Sequence, residues 1–304
     1  MRQGRVVVRA PAKINIYLGV SGPRRDGYHD LATVFHALDL SDDVVAEPAD
    51  PGHVSLSVTG EHTGEGPTDE SNLAVRAARA LARYAGVDAG VRLTLVKRIP
   101  VAGGLAGGSA DAAATLVACD ALWHTGCGRA ELAMLAARLG SDVPFALHGG
   151  TALGSGRGEC LAPVMARGRL HWVLAVSAEG LSTPVVYAGL DADRSAHEVP
   201  PPEVPGALLT ALRNADLPAV GVHMANDLQP VACRLRPALA RTLATGRDLG
   251  ALGALVSGSG PTVVFLVPDE RTAEGLADDL VDAGVCHQAL AATGPAAGAR
   301  VVAS

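Results

Sequence analysis

The chain has 304 residues, of which 48% are hydrophobic and only 3% aromatic, so Ala, Val and Leu must fill its core. That length allows one large or two ordinary domains, and we expect two. The formal net charge of −6 argues against a long basic face for nucleic acid, because binding a phosphate backbone requires clustered Lys and Arg.

The composition gives no indication of export or membrane insertion. Five cysteines are dispersed without a C-x-x-C pair, which is typical of reduced thiols in the cytoplasm. Arg5 and Arg9 interrupt any apolar run near the N-terminus, so a signal peptide is not expected. The longest apolar stretch, 251–267, is broken by a Gly/Ser-rich turn, which argues against a membrane span. We therefore predict a cytoplasmic protein.

Apolar and β-branched runs predict strands in the first half of the chain, and helical spacing predicts helices between them. The predicted strands are Arg5–Val8, Ile14–Val20, His29–Leu40 and Val91–Ile99. The predicted helices are 72–85, capped by Ser71 or Asn72 and ended by Gly86, then Ser109–Trp123 and Arg129–Leu139. A polar, glycine-rich stretch predicts a surface loop at Thr59–Asp69.

The second half alternates strands and helices in the manner of a split βαβ, or ferredoxin-like, domain. Strands are predicted at Leu170–Val176, Ala251–Ser257 and Thr262–Val267, and helices at Pro205–Asn214, Pro237–Thr245 and Glu270–Asp282. A proline-rich, acidic stretch predicts an exposed excursion at Asp191–Pro205. We place the boundary so that residues 1–163 form an N-terminal domain and residues 164–304 a C-terminal one.

A glycine-rich segment separates a predicted strand from the predicted helix that follows it. Its glycines are Gly103, Gly104, Gly107 and Gly108. They allow a tight backbone whose N–H groups approach a ligand, and the helix directs unpaired N–H groups at the same point. A polyphosphate suits that environment, and the Ser109 hydroxyl can contact a phosphate or Mg²⁺.

Two better-known phosphate loops do not match this segment. A P-loop ends in Gly-Lys-Ser/Thr, whereas Gly108 is followed directly by Ser109. The dinucleotide fingerprint requires G-x-G-x-x-G spacing, which these glycines lack. Lys97 and Arg98, just before the loop, are expected to add positive potential near the phosphates. A tight strand-to-helix connection without any ligand is the alternative interpretation.

Three segments in chain order resemble the motifs of the GHMP kinase superfamily, named for galacto-, homoserine, mevalonate and phosphomevalonate kinases. They are 11–31, Pro100–Asp111 and Ser257–Thr262. The resemblance implies an ATP-dependent small-molecule kinase of the α+β class. Its two-domain GHMP kinase architecture would have an N-terminal ribosomal protein S5 domain 2-like domain and a C-terminal ferredoxin-like domain. Three residues depart from the pattern, because many relatives have Gly, Gly and Ser at Ala102, Ala106 and Ala110.

One branch of the superfamily is more similar than the rest. Its members share features of the segments Ala12–Leu31, Gly140–Phe145, Ser182–Pro184 and Asn226–Pro230. That resemblance implies a substrate that is a cytidine diphosphate-linked methylerythritol, phosphorylated by ATP on its 2-hydroxyl in the non-mevalonate isoprenoid pathway, with Mg²⁺ as cofactor. We expect a monomer or homodimer without nucleic-acid or membrane partners.

The resemblance also implies roles for individual residues. Asp142 would be the general base, and Lys13 would keep that carboxylate ionised and stabilise the transferred phosphoryl group. Tyr28 and Tyr187 correspond to positions that sandwich the cytosine. The implied substrate contacts also include Asn15, His29 and Thr183, and the implied ATP contacts are Pro100, Val101, Ala102, Gly103, Gly104, Leu105, Ala106, Gly107, Gly108, Ser109 and Ala110.

Ordinary structural interpretations compete with these roles. Asp142 is also suited to capping a helix, and Lys13 to reaching solvent along its stem. Tyr28 and His29 fit equally well as a packed pair on a surface turn. For the whole chain, the competing functions are another GHMP kinase acting on a homoserine- or mevalonate-type alcohol, and a non-catalytic nucleotide or metabolite sensor.

Overall fold

The computed structural model of the chain describes residues 4–61, 66–101, 103–195 and 199–304. The strands within these residues are β1 Val6–Pro23, β2 His29–Ala49, β3 Val54–Gly60, β4 Gly90–Lys97, β5 Thr151–Ser155, β6 Cys160–Pro163, β7 Leu170–Val176, β8 Ala225–Asn226, β9 Gly253–Val256, β10 Val263–Val267, β11 Gln288–Gly294 and β12 Arg300–Ala303. The helices are α1 Leu73–Ala85, α2 Gly107–Trp123, α3 Arg129–Leu139, α4 Val143–His148, α5 Thr183–Arg194, α6 Gly206–Asn214, α7 Leu217–His223, α8 Gln229–Leu235, α9 Ala238–Asp248 and α10 Glu270–Asp282.

The larger sheet has eight strands, and its main path runs β12-β1-β2-β4-β3. Beside this path, β5 pairs with β2 and β6, and β8 pairs with β1. Helix α2 packs against β1 and β2 and is covered by α1. It is apolar on almost every side, as expected of a helix buried between layers. Its many alanines let it approach the sheet closely, which explains how a chain so poor in aromatics fills its core.

The smaller sheet has the order β11-β7-β10-β9, and all neighbouring strands are antiparallel. Its fourth and third strands in chain order flank the first, as in a split βαβ domain, so the ferredoxin-like prediction is confirmed. Helices α9 and α10 pack against this sheet. None of the helices in the described part of the chain combines the length and the apolar character that a membrane crossing requires.

For several elements, both the predicted type and the predicted ends are confirmed. Helix α1 begins after Asn72, whose side-chain oxygen accepts a hydrogen bond from the Ala74 N–H at 2.8 Å, and ends at Gly86, which has a φ of 66°. The bounds predicted for α3, β7 and α10 are also those observed. Local capping residues and apolar periodicity are therefore sufficient to predict the ends of these four elements.

Other predictions need correction. The two strands predicted before residue 20 form one continuous strand, β1, because the pairing register with β2 shifts between Pro11 and Lys13 and absorbs the proline. Asp191–Arg194, predicted to belong to an exposed excursion, form the last turn of α5. Strand β3, which is flanked by polar and glycine-rich residues, and helix α4, which has only six residues, were not predicted.

The domain boundary between residues 163 and 164 stays a prediction. The two sheets share no strand, but β8 and β12, both from the C-terminal half, pair with β1 in the larger sheet. The last strand of the chain therefore returns to the sheet in which the chain begins.

A buried histidine lies where the two sheets meet. His36 of β2 is fully buried, its Nδ1 lies 2.8 Å from the Thr151 hydroxyl, and its ring centroid lies 5.6 Å from that of Trp172 on β7. Gly294, at the end of β11, has room for no side chain, because a Cβ there would lie 2.2 Å from His36 Nε2. Burial lowers the pKa of His36 to about 3.

This histidine should make stability depend on pH. His36 stays neutral in the folded chain, whereas the unfolded chain binds a proton there below about pH 6.5. The free energy of unfolding should therefore fall as the pH falls from 6.5 towards 3, by up to about 1.4 kcal/mol per pH unit from this group. Urea unfolding of wild type, His36→Gln and the exposed control His53→Gln at several pH values measures this contribution. Parallel profiles for wild type and His36→Gln would contradict it.

Candidate active site

A cavity of about 530 Å³ is lined by residues from both halves of the chain. The N-terminal half contributes Lys13 and Asn15 of β1, the start of α2 with the loop before it, and Asp142. The C-terminal half contributes Thr183 and Tyr187 of α5 and the turn at 258–259. The site is therefore complete only when the two halves are assembled.

The start of α2 presents unpaired amides to this cavity. The first backbone hydrogen bond of the helix is donated by the Ala110 N–H to the Ala106 carbonyl oxygen at 3.0 Å. The N–H groups of Gly107, Gly108 and Ser109 therefore precede the helical hydrogen-bond ladder. Ala106, just before the helix, has a φ of 59°, a left-handed conformation that favours glycine. Three amides and the positive end of the helix dipole are what binding an anion requires, and the phosphate site that the glycine pattern indicates stays a prediction.

Gly104 holds this loop against the C-terminal half of the chain. It has a φ of 75°, and a Cβ there would lie 2.4 Å from the carbonyl oxygen of Ser257. The Ser257 hydroxyl donates a hydrogen bond of 3.2 Å to the Gly104 carbonyl oxygen. The glycine is therefore required by close backbone contact as well as by its conformation.

Lys97 lies beneath the loop in a buried cluster of charges. Its ammonium forms ion pairs with Asp42 and, at 2.7 Å, with Asp111. Asp42 also accepts hydrogen bonds from the amides of Arg98 and Ile99, at 2.6 and 2.9 Å. Lys97 and Asp42 therefore fix the residues that enter the loop, and Asp111 fixes the helix that leaves it.

The charges in this cluster alter the local electrostatics. Burial lowers the pKa of Lys97, but the two carboxylates outweigh burial and raise it, so the lysine stays charged. Burial raises the pKa of Asp111, although Lys97 opposes the change. Arg98 is paired with Asp43 at 3.0 Å. The expectation that Lys97 adds positive potential near the phosphates is therefore wrong, because two carboxylates compensate its charge. Arg98 shares Asp43 with Arg9, so the expectation for Arg98 stays a prediction.

Lys13 and Asp142 face each other across the cavity. Lys13 is only 7% exposed, and its Nζ lies 3.5 Å from Asp142 Oδ2 and 2.8 Å from Asn15 Oδ1. The backbone N–H of Lys13 also donates to the carbonyl oxygen of Leu105 in the glycine loop, at 3.1 Å. Strand β1 therefore ties the lysine directly to the phosphate loop.

The surroundings of this pair disfavour the ordinary interpretations of both residues. Asp142 stands at the N-cap position of α4, but its side chain makes no capping hydrogen bond. The Lys13 side chain does not extend to solvent, since its Nζ is held by Asn15 and lies 5.5 Å from the centroid of the Phe35 ring. Both side chains are instead directed at the cavity.

Tyr187 forms part of the wall next to Asp142. Burial raises the pKa of the Tyr187 phenol above its usual value, and the negative charge of Asp142 raises it further. His29 packs behind this ring, with centroids 5.0 Å apart, and its Nε2 lies 2.8 Å from Asp191 Oδ1. Asp191 of α5 thus orients the histidine, a contact that the sequence did not indicate.

Tyr28 lies on the exposed turn between β1 and β2 and is 52% exposed. It does not itself line the cavity, whereas Arg157 does. The guanidinium carbon of Arg157 lies 4.9 Å from the centroid of the Tyr28 ring. A cytosine between Tyr28 and Tyr187 therefore stays a prediction, with Arg157 as a neighbour that sequence reasoning missed.

The structure brings most of the predicted site residues to one cavity. Those that line it are Lys13, Asn15, Pro100, Val101, Gly103, Gly104, Ala106, Gly107, Gly108, Ser109, Asp142, Thr183 and Tyr187. Leu105 and Ala110 are buried and do not line it, and His29 lies behind its wall. Ala102 lies outside the described residues. The lining residues that were missed include Phe35, Asn72, Ser141 and Arg157.

The contact at Gly104 can be tested by substitution. Gly104→Ala places a methyl group against the Ser257 carbonyl at a positive φ and should lower the free energy of unfolding by about 1–3 kcal/mol. Gly108→Ala is the matched control, because a Cβ there meets only Leu73 Cδ1 at 3.8 Å. Urea unfolding measures both variants. Equal stability of the two would contradict the proposed contact.

The buried cluster makes a second prediction. Lys97→Met leaves two buried carboxylates without their cation, which should cost about 3–5 kcal/mol of unfolding free energy. Arg92→Met is the control, since Arg92 pairs with Glu47 at 3.5 Å on the surface and such pairs contribute at most about 1 kcal/mol. Thermal or urea unfolding measures both variants. If the free energy of unfolding falls by no more in Lys97→Met than in Arg92→Met, Lys97 does not hold the cluster together.

Comparison with known proteins agrees with this architecture. Residues 72–150 match the family described as GHMP kinases N terminal domain, and residues 208–286 match GHMP kinases C terminal. A crystal structure of 4-(cytidine 5'-diphospho)-2C-methyl-D-erythritol kinase is 35% identical, with a TM-score of 0.76 over 95% of this chain and 98% of that one. A homoserine kinase from Cytophaga hutchinsonii, 18% identical, has the same fold, with a TM-score of 0.77 over 99% of this chain and 98% of that one.

Curated relatives cover nearly the whole chain. The 4-diphosphocytidyl-2-C-methyl-D-erythritol kinase of Salinispora tropica is 56% identical over 98% of this chain and 95% of its own length. The protein of that name from Mycolicibacterium gilvum is 53% identical over 98% of this chain and 93% of its own length. This ATP-dependent kinase therefore belongs to the 4-diphosphocytidyl-2-C-methyl-D-erythritol kinase family of GHMP kinases.

Proposed function

We propose that the chain transfers the γ-phosphoryl group of ATP to the 2-hydroxyl of 4-diphosphocytidyl-2-C-methyl-D-erythritol, with Asp142 as general base and Lys13 as its partner. The observation that carries the proposal is the Lys13–Asp142 pair, 3.5 Å apart in a cavity that also holds the amides of the glycine loop. The names of the curated relatives support the choice of substrate.

The nucleotide would lie along the start of α2. Its phosphates would accept hydrogen bonds from the amides of Gly107, Gly108 and Ser109. The adenine would pack against apolar residues of the cavity wall such as Val58 and Leu95. The γ-phosphate would then face Lys13 and the substrate alcohol.

Asp142 would accept the proton of the 2-hydroxyl as its oxygen attacks the γ-phosphorus and the bond to ADP breaks. Lys13 would keep the carboxylate ionised and would offset the charge that develops on the transferred phosphoryl oxygens. Asn15 would keep Lys13 in place, because its own amide is anchored to the Thr33 hydroxyl at 2.8 Å. These residues position the alcohol and move its proton.

Magnesium fits this site only together with the nucleotide. The described residues include no group of three or more His, Cys, Asp or Glu side chains able to hold a metal. Mg²⁺ commonly binds through one or two protein oxygens and the phosphates of its substrate. Ser109, in the cavity wall, would supply one such oxygen through its hydroxyl. The ion would neutralise phosphate charge during transfer.

The cytosine would bind between Tyr187 and the turn that bears Tyr28, with His29 reading its edge. Asp191 would fix the orientation of His29. Thr183 would contact the substrate through its hydroxyl, which lies 2.7 Å from that of Ser259. A cytoplasmic location, a monomer or homodimer and the lack of nucleic-acid partners complete the proposal.

Turnover of defined variants tests the proposal. ADP release and phosphate transfer are measured with ATP, Mg²⁺ and 4-diphosphocytidyl-2-C-methyl-D-erythritol. Asp142→Asn should lower kcat by about 10²–10⁴-fold while ATP binding persists, because only proton transfer is lost. Lys13→Met should lower kcat too, and the exposed control Asp282→Asn should not.

Three outcomes would contradict the proposal. A wild-type chain that binds ATP and the cytidine compound without turnover would be a sensor. Equal phosphorylation of homoserine or mevalonate would indicate a different GHMP kinase. Full activity of Asp142→Asn would exclude Asp142 as the base.

A further inference from the structure

The described residues place three cationic side chains in the cavity wall, Lys13, Lys97 and Arg157. Two of them are committed to partners within the chain. Lys13 is held by Asn15 and Asp142, and two buried carboxylates neutralise Lys97. The substrate proposed above carries a diphosphate, whose charge needs a cation that is not already neutralised.

Arg157 is the remaining cation of the wall. Its nearest carboxylate is that of Glu159, with Nε and Oε1 3.7 Å apart, which is too long for a good hydrogen bond. The other Glu159 oxygen already accepts the backbone N–H of Arg157 at 2.6 Å. Among the described residues, no acceptor bonds the terminal guanidinium nitrogens of Arg157. They are therefore free to bind an anion.

The fold holds Arg157 in place before any ligand arrives. It lies in the turn between β5 and β6, and the Gly156 carbonyl of this turn accepts a 2.7 Å hydrogen bond from the Leu31 N–H. The guanidinium carbon also lies over the Tyr28 ring, 4.9 Å from its centroid. A guanidinium on the face of a ring keeps N–H groups available for bidentate contact with phosphate oxygens.

We infer that Arg157 is a substrate-binding residue that pairs with the diphosphate of the cytidine substrate. The inference rests on the proposed function and extends it, since it assigns the charged middle of the substrate to a residue outside the motifs that indicated the family. Tyr28 acts through Arg157 as a positioning residue. The base, the diphosphate and the reacting alcohol then have separate partners in one cavity.

Cytidine and cytidine 5'-diphosphate are the probes that separate charge recognition from base recognition. Their affinities are measured by calorimetry, and by competition with the phosphorylation assay, for wild type, Arg157→Gln and Arg157→Lys. Arg157→Gln should lower the affinity for cytidine 5'-diphosphate by about tenfold to a hundredfold, because a charge-assisted contact is lost. It should lower the affinity for cytidine by less than about twofold, because cytidine has no phosphate to make that contact. The affinity of Arg157→Lys for cytidine 5'-diphosphate should lie between those of wild type and Arg157→Gln, since lysine keeps the charge without the planar guanidinium.

Kinetics on the same variants provide the second readout. The KM for the cytidine substrate should rise in Arg157→Gln by about the factor lost in diphosphate affinity, with the KM for ATP unchanged. Arg25→Gln is the matched control, because Arg25 is an exposed arginine of the turn before Tyr28 that does not line the cavity. It should behave as wild type in every assay.

The outcomes separate this inference from the proposed function. Equal losses for cytidine and cytidine 5'-diphosphate would mean that Arg157 stacks on the base or supports the fold, and would overturn the inference. Unchanged affinities for both would overturn it as well. A wild-type chain that does not phosphorylate the substrate would overturn the proposed function, whereas the comparison of the two probes would still decide whether Arg157 binds the diphosphate.

Discussion

The glycine loop keeps its shape because Lys97, immediately before it, pairs with Asp42 and with Asp111, one turn into the helix that follows. A buried lysine with two buried carboxylates is stable only while all three are together, since each alone carries a large desolvation cost. The strand that enters the loop and the helix that leaves it are therefore fixed relative to each other. The positions of the Gly107, Gly108 and Ser109 amides at the start of that helix are fixed as a result.

The second constraint is the contact of this loop with the C-terminal half of the chain. Gly104 meets Ser257 through backbone atoms at a distance that excludes any side chain. The turn that carries Ser257 also places Gly258 beside Lys13, since a Cβ on Gly258 would lie 3.6 Å from Lys13 Nζ. The phosphate loop and the proposed catalytic lysine thus share one neighbour, which couples assembly of the two sheets to formation of the site.

Charge is divided along the cavity. Lys13 and Asp142 form a pair in which neither side chain is free, and the Lys97 cluster is internally compensated. Arg157 is the cation of the wall whose terminal guanidinium nitrogens bond no acceptor in the described part of the chain. A substrate with a charged middle would therefore find its complement beside Tyr28.

The sequence by itself determined the features that depend on neighbours in the chain. Helix α1 is capped by Asn72 at its start and by Gly86 at its end, as the capping residues predict, and the glycine-rich segment marked the connection into α2. The motifs were also sufficient to identify the superfamily, because the segment with Lys13, the glycine loop and Ser257–Thr262 are short contiguous patterns.

Tertiary structure decided what depends on residues distant in the chain. Nothing in the spacing of Asp42, Lys97 and Asp111 indicates that they form one cluster, and Lys97 alone suggested a positive potential that its partners cancel. His29 contacts Asp191, which is 162 positions further along the chain. Tyr28 contacts Arg157, which lies in another turn. Short-range patterns record backbone preference and periodicity, whereas the compensation of a charge depends on which side chains the folded sheets bring within a few ångströms of it.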